Sequence, residues 1–467
     1  MKKAIVWFRK DLRVHDNEAL FRASQAADQL IPFYCFDDSE YDQTHFGFKK
    51  TGPLRAQFTV ESVSQLRKNL KALGSDLCVR KGNTADELAK LIEATKAEAI
   101  FSAKDIHSEE LALQKQVEEG VSVPVEYSFG SCLFHINDLP HPHQDTPEVF
   151  TTFRKGVEKK SKVRELFPKP EGLKKPDDEL DWGKLPKLEE LGLTPRTIDS
   201  RAAIAAKGGE NEALSRLEHY CAGTQALASY KQTRNGLLGE DYSSKLSLWL
   251  WNGCISPRMI YWKVKEFEKE IKKNQSTYWL IFELIWRDYF KYIALKHGNK
   301  IFQLNGIGES ERKWEVDHER FEKWAKGETG IPFIDANMRE LNESGFMSNR
   351  GRQNVASFLS KELQLDWRMG AEYFESMLID YDVASNYGNW MYVSGVGNDP
   401  RDRYFNIISQ AKRYDAKGNY VKHWIPELEA LDPSLVHHPW TANQQVFSEG
   451  ANYAKPIVEP DYWRKHY

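Results

Sequence analysis

The feature that most constrains this fold is a change of rhythm along the chain. Up to about residue 130, five short apolar runs alternate with longer segments of helical spacing. The runs are AIVWF, LIPFYCF, DLCVRKG, AIFSA and PVEYSF; among the helical segments are LRAQFTVESVSQLRKNLKAL, TADELAKLIEAT and SEELALQKQVEE. Such alternation predicts a parallel sheet covered on both faces. Thr84 and Glu87 have the spacing of a capping box for the second of these helices. From Asn211 onward the pattern is helical, as in ALSRLEHYCAG, SSKLSLWLWNG, STYWLIFELIWRDYFKYIALK and GRQNVASFLSKELQL, with glycine-containing turns between. Residues 140–209 are irregular and rich in Pro, Gly and Lys. Their segment 152–175 holds nine Lys and Arg against three Glu, which reads first as a solvated linker and second as a nucleic-acid contact. The expected organisation is an α/β domain over 1–135, a connector over 136–209 and an all-helical domain over 210–467.

Bulk properties remove several classes. At 467 residues the chain exceeds the ~250–300 at which single cores stop growing, so more than one domain is expected. A net charge of −3 does not suggest a wholesale polyanion binder, although a local basic cleft is compatible with it. The five cysteines are scattered with no C-x-x-C pair, which argues against a disulfide framework or a zinc site and fits a reducing compartment. MKKAIVWFRKDLRVHD places charges directly after a short apolar run, so it reads as strand and turn, not a signal peptide. No apolar run approaches the ~18 residues of a membrane span, and a soluble, cytoplasmic, metal-free monomer is expected. No G-x-G-x-x-G or G-x-x-x-x-G-K-S/T occurs, which disfavours a dinucleotide oxidoreductase of the usual kind.

Four segments of the helical half crowd polar groups beside aromatics. DYSSKLS (241–247) sets small hydroxyl residues before an apolar helix, as a phosphate site or a plain N-cap would. FELIWRDYF (282–290) interrupts a buried face with Glu283, Trp286 and Arg287, charges that need partners or a ligand. GFMSNRGRQN (345–354) is a dense polar run opening a helix. DYDVASNYGNWMY (380–392) combines two acids, two asparagines, a glycine and aromatics, a pattern that a helix end alone would also explain.

Together and in this order, the segments resemble the photolyase/cryptochrome family over essentially the whole chain. VWFRKDLRVHDNEAL is similar to that family's opening strand and turn; TGIPFIDANMREL, DWRMGAEYFESMLIDYD, NWMYVSGVGNDPRDRYFNI and WIPEL are similar to its flavin-domain signatures. GVGNDPRDRYFN, and TTFRKGVEKK after TPEVF, resemble the DASH cryptochromes. So do Gln353, where double-strand dimer photolyases typically carry Met, and Tyr392, where they carry a second Trp. Ser348, Asn349 and Gln353 stand where six-four photolyases and animal cryptochromes show histidines, which disfavours that branch.

The resemblance implies a U-shaped FAD in the helical domain. Tyr230 and the loop of Ser243, Ser244, Leu246 and Ser247 would cradle its pyrophosphate. Arg287, Asn349 and Arg352 would lie beside it, with Asp380 and Asp382 near the ribose or isoalloxazine and Asn386 facing N5. Trp390, Trp367 and Trp314 would form an electron-transfer chain to the surface, where the bland reading of three tryptophans is core. The implied activity is light-driven electron transfer from reduced FAD to a cyclobutane pyrimidine dimer, preferentially in single-stranded DNA, with RNA as a further candidate. Glu283 and Asn349 would contact the dimer with Gln353, Trp286 and Tyr392 would wall it, and Arg403 would hold a flanking phosphate. The family also implies a folate antenna, methenyltetrahydrofolate, in the α/β domain. There Asp105 of Lys104-Asp105-Ile106 replaces a usual Glu and is one methylene shorter. Two other functions compete with repair: a blue-light photoreceptor signalling through a partner, and a flavin electron carrier without a nucleic-acid role.

Overall fold

The computed structural model describes the chain except residues 178, 309, 311, 400, 402–403, 442–452 and 459–467. The α/β half is a five-stranded sheet of β1 (Lys3–Trp7), β2 (Gln29–Asp37), β3 (Cys78–Gly82), β4 (Ala99–Ala103) and β5 (Val125–Ser128). The strand order is β3-β2-β1-β4-β5 and every pairing is parallel. All nine residues of β2 are buried, because helices cover both faces; this is why the strands read as continuous apolar runs and do not alternate. One face packs Ile5, Trp7, Ile31 and Phe33 against helix Thr84–Thr95. The other contributes Val6, Phe8 and Phe36 to a core that runs on into the helical half through Trp249 and Tyr289.

The expected capping box at Thr84 does not form. Asn83 caps the helix, its side chain accepting from the Asp86 N–H, while the Thr84 N–H and hydroxyl donate to Asp37 across the sheet edge. A second correction falls in the connector, which contains an 11-residue helix, Phe150–Lys160. Phe150, Phe153 and Val157 are its buried stripe, at a spacing that one helix face presents. Phe150 stacks on Trp286 with ring centroids 3.5 Å apart, so the connector is part of the wall around the helical domain.

The two halves are also joined by buried polar links. Arg258 Nη2 pairs with Asp16 Oδ1 at 2.8 Å, and Asp288 accepts from the Leu133 and Phe134 N–H groups. The helical half is organised around the long helix Gln275–His297, started by Asn274 accepting from the Ser276 and Thr277 N–H groups. Helices Asn349–Ser357, Trp367–Met377 and Val383–Ser394 complete the bundle that frames the site. Among the described residues no helix is long and apolar enough to cross a membrane.

Candidate functional site

The segment DYDVASNYGNWMY is mostly helix and not a helix end. Asp382 is the N-cap, accepting from the Ser385 N–H at 2.9 Å, and Val383–Ser394 follows. Gly388 is tolerated inside it because Phe290 of the long helix leaves no room for a Cβ. This close approach lets the two helices and Asn349–Ser357 enclose a cavity of about 420 Å³. A smaller cavity of about 90 Å³ continues it, sharing Asn349, Arg352, Gln353 and Asp380.

The larger cavity collects Tyr230, Ser243, Ser244, Leu246, Ser247, Glu283, Trp286, Arg287, Asn349, Arg352, Gln353, Asp380 and Tyr392, from segments up to 162 positions apart in sequence. Asp382, Asn386 and Trp390 line the smaller one. The charges are paired. Arg352 Nη2 donates to both oxygens of the buried Asp380, at 2.8 and 2.9 Å, and its Nε donates to the Met347 carbonyl. Arg287 donates to the Ser131 carbonyl at 2.6 Å and lies 3.4 Å from Asp382 Oδ2. Burial works to raise the Asp382 pKa, but Lys291, Arg287 and the Ser385 N–H outweigh it and hold the carboxylate far below its usual range. Asn386 commits its Nδ2 to the Ala371 carbonyl, leaving Oδ1 for the cavity.

Four residues of the site were not singled out from the sequence: Arg234, Tyr242, Lys245 and Arg350. Arg234 Nη2 pairs with Glu283 Oε1 at 2.9 Å; burial nevertheless raises the Glu283 pKa, with Arg234 opposing. Lys245 stands inside the serine loop in a left-handed backbone conformation, φ 55°. It is 3% exposed, its ammonium lies 3.3 Å from the Tyr242 ring centroid, and no hydrogen-bond acceptor among the described residues reaches it. Burial, reinforced by Arg216, pulls its pKa down to about 7. Its position within DYSSKLS was the available signal. The helix after the loop, Ser247–Leu250, has only four residues, so the expected dipole contribution is minor and the side chains define the anion site.

The aromatic wall is layered. Trp286 is stacked on Phe150 and meets Tyr392 edge-on at 5.7 Å. Gln353 presents a buried Oε1 with no hydrogen-bond partner among the described residues. Trp390 is 2% exposed, and its ring fills the space a Cβ would need at Gly370, one turn from Trp367 on the same helix. Trp367 is fully buried and donates to the Leu304 carbonyl. Backbone pairing of Glu315 with Gln364 and Asp366 brings the half-buried Trp314 beside the start of that helix. Trp390 and Trp314 thus both lie near the start of the helix that Trp367 opens. Asp105 is elsewhere, in a cleft of about 500 Å³ between the two domains. Arg403 lies outside the described residues.

Comparison with known proteins agrees with this geometry. The family profile described as "DNA photolyase" matches residues 4–171, and that described as "FAD binding domain of DNA photolyase" matches residues 279–467. The chain is 49% identical to a cryptochrome DASH of Gloeobacter violaceus, over 98% of this chain and 93% of that protein. It belongs to the cryptochrome DASH branch of the photolyase family. A cryptochrome DASH of Danio rerio is 48% identical, over 100% of this chain and 92% of that protein. The crystal structure of a Synechocystis cryptochrome superposes with a TM-score of 0.96 at 44% identity, covering 100% of this chain and 98% of the other. The helical half is thus a flavin domain, and its residues fit the cofactor. A buried ammonium without an acceptor among the described residues, beside serine hydroxyls, is what a pyrophosphate would complete.

Proposed function

We propose that this protein repairs cyclobutane pyrimidine dimers by light-driven electron transfer, with a preference for single-stranded DNA. The observation that carries the reading is a single continuous cavity. Anion-holding and flavin-facing groups lie deep in it, and Glu283, Trp286, Gln353 and Tyr392 stand where a second planar ligand would meet the first. Bound and reduced, FAD supplies the light-absorbing electron donor.

The protein's own residues have distinct tasks. Lys245 and the Ser243–Ser247 hydroxyls hold the pyrophosphate, while Arg352, fixed by Asp380, and Arg287, fixed by Asp382, keep the charge around the ring in a set geometry. Asn386 Oδ1 is left free to meet a ring N–H. Glu283, held by Arg234 with burial raising its pKa, is placed to hydrogen-bond the edge of a pyrimidine. Trp286 and Tyr392 stack on the extruded bases and exclude water, and Trp390, Trp367 and Trp314 return electrons from the surface when the flavin needs reducing. The interdomain cleft takes a folate-type antenna.

Strand preference follows from the wall. Extracting a dimer from a duplex costs a few kcal/mol of unstacking and unpairing that the pocket must offset. An aromatic stack contributes ~1–3 kcal/mol. Tyr392 and the polar Gln353 return less than a Trp and a Met would, by ~1.4 kcal/mol or more, hence tenfold or more in affinity for duplex. The test compares initial light-dependent repair rates on matched single-stranded and duplex substrates, then repeats them with Gln353→Met/Tyr392→Trp. Fast single-strand and slow duplex repair, with a duplex gain in the variant, is expected. Equal wild-type rates refute the preference, and no repair of either substrate leaves the photoreceptor function as the better account.

A further inference from the structure

Behind the aromatic wall of the flavin cavity lies a layer of polar contacts centred on Tyr289. This tyrosine stands on the long helix and is fully buried. Its ring lies 5.5 Å from Phe150, 5.6 Å from Trp286 and 5.7 Å from Phe290, centroid to centroid. Three groups meet its hydroxyl. It is hydrogen-bonded to the Glu148 carbonyl, Asn398 Nδ2 lies 2.8 Å away, and the Tyr392 hydroxyl lies 3.4 Å away. A phenol hydroxyl has one proton to give and two lone pairs with which to receive. A carbonyl can only accept and an amide N–H can only donate, so the Tyr289 proton goes to Glu148 and the Asn398 N–H is received. One lone pair remains, and Tyr392 is therefore the donor to it.

Asn398 is itself fixed. Its Nδ2 also donates to Glu148 Oε2 at 3.1 Å, and Lys296 Nζ and His297 Nε2 hold the Oε1 of that carboxylate at 2.6 and 3.0 Å. Glu148 thus acts twice, with its backbone on Tyr289 and its side chain on Asn398. The two residues lie 250 positions apart, in TPEVF and GVGND, runs that the sequence comparison tied to the DASH branch. On the cavity side, Tyr392 meets Trp286 edge-on at 5.7 Å and Phe290 edge-on at 5.6 Å. These ring contacts fix where Tyr392 sits. Its hydroxyl contact fixes how far the ring leans into the space where an extruded base would stack.

We infer that Asn398 is a positioning residue for substrate recognition: through Tyr289 it sets the orientation of Tyr392, and hence the fit of the wall to a pyrimidine dimer. This role rests on the reading of the cavity as a dimer-repair site. A buried phenol that loses its acceptor turns to find another, because an unmet hydroxyl retains its full desolvation cost. Asn398→Asp keeps the shape of the side chain but replaces a donor by an acceptor. The new carboxylate competes with the Glu148 carbonyl for the Tyr289 proton and stands beside the Glu148 carboxylate, so the direction of the Tyr392 bond is no longer imposed.

The test is a double-mutant cycle on dimer recognition. Flavin-loaded protein is titrated in the dark with an oligothymidylate carrying one cyclobutane dimer and with the same strand undamaged. The readout is the ratio of the two affinities, which a general loss of structure does not move selectively. Asn398→Asp and Tyr392→Phe should each lower that ratio by about fivefold. If Asn398 acts through Tyr392, the double variant loses about fivefold as well; independent effects would multiply to about twenty-five-fold. Thermal melting and flavin content verify folding, and Tyr289→Phe, which keeps the ring and removes only the hydroxyl, carries the same cycle if Asn398→Asp does not fold. Multiplied losses, or an unchanged ratio in Asn398→Asp and Tyr289→Phe, overturn the positioning role and leave the repair reading standing. A wild type with no preference for the dimer strand overturns the repair reading, and this role with it.

Discussion

The flavin cavity and the interdomain cleft are of similar size, about 420 and 500 Å³, and both have aromatic walls. Their charge is opposite. Arg234, Lys245, Arg287, Arg350 and Arg352 line the first against Glu283 and Asp380. The second sets Asp37, Glu40, Asp105, Glu109, Glu110, Glu372 and Glu375 against Arg9, Lys10, Lys50, Arg55 and Arg368. In each, most charges are paired and burial shifts one group: Lys245 in the cavity, and in the cleft Glu375, which accepts from the Tyr381 hydroxyl. Burial moves both to a pKa of about 7, the lysine downward and the acid upward. The buried lysine is complementary to the anionic pyrophosphate proposed for the cavity.

The largest expected effect separates the aromatic groups of the two sites. Trp390→Phe preserves most of the packing against Gly370 but is much harder to oxidise, so photoreduction of bound flavin slows by about a hundredfold, a barrier change of ~3 kcal/mol. Trp251→Phe, on the cleft wall, leaves the rate unchanged. Flash photolysis with flavin content measured alongside checks both, and equal rates for wild type and Trp390→Phe would make Trp390 packing alone.

Lys245→Met should weaken FAD binding by about tenfold or more, the ~1.5–3 kcal/mol of a charge-assisted contact, while riboflavin binding changes little. The same variant tests the sign of the buried charge. In cofactor-free protein the folded Lys245 titrates near 7 and the unfolded one near 10.5. The unfolded chain therefore binds more protons between those values, and stability rises with pH across that window. Urea unfolding of the apoprotein at pH 7 and pH 9.5 should show the rise in wild type and a smaller one in Lys245→Met.

Glu375→Gln gives the smallest effect and the opposite slope. The folded carboxyl titrates near 7 and the unfolded one near 4.5, so the folded state binds more protons in between and stability falls as pH rises through that window. The half-buried position limits the gain from the neutral variant to about 1 kcal/mol above pH 7. Unfolding at pH 5 and pH 8 is the measurement, and a wild-type stability that does not fall between them would remove the cleft's acid surplus as an energetic fact.

Local patterning carried most of the architecture. The wholly apolar LIPFYCF could hardly be other than a central parallel strand, and the ordered polar segments of the helical half announced one flavin domain before any contact was known. What sequence could not rank was which polar group would lose water and which would find a partner. Thr84 looks like an N-cap until Asp37, 47 residues earlier, takes its N–H and hydroxyl and leaves the cap to Asn83. Phe150 lies in a stretch that reads as linker until Trp286 stacks on it. Lys245 is one lysine among serines, marked locally only by its place in DYSSKLS, with nothing there to show that it would lose water. Strand and helix periodicities are set by neighbours two to four positions away, so the sequence determined the elements and their order. Desolvation and pairing depend on groups brought together from opposite halves of the chain, so only the closing of the helical domain on the sheet decided which charges remain free to meet a ligand.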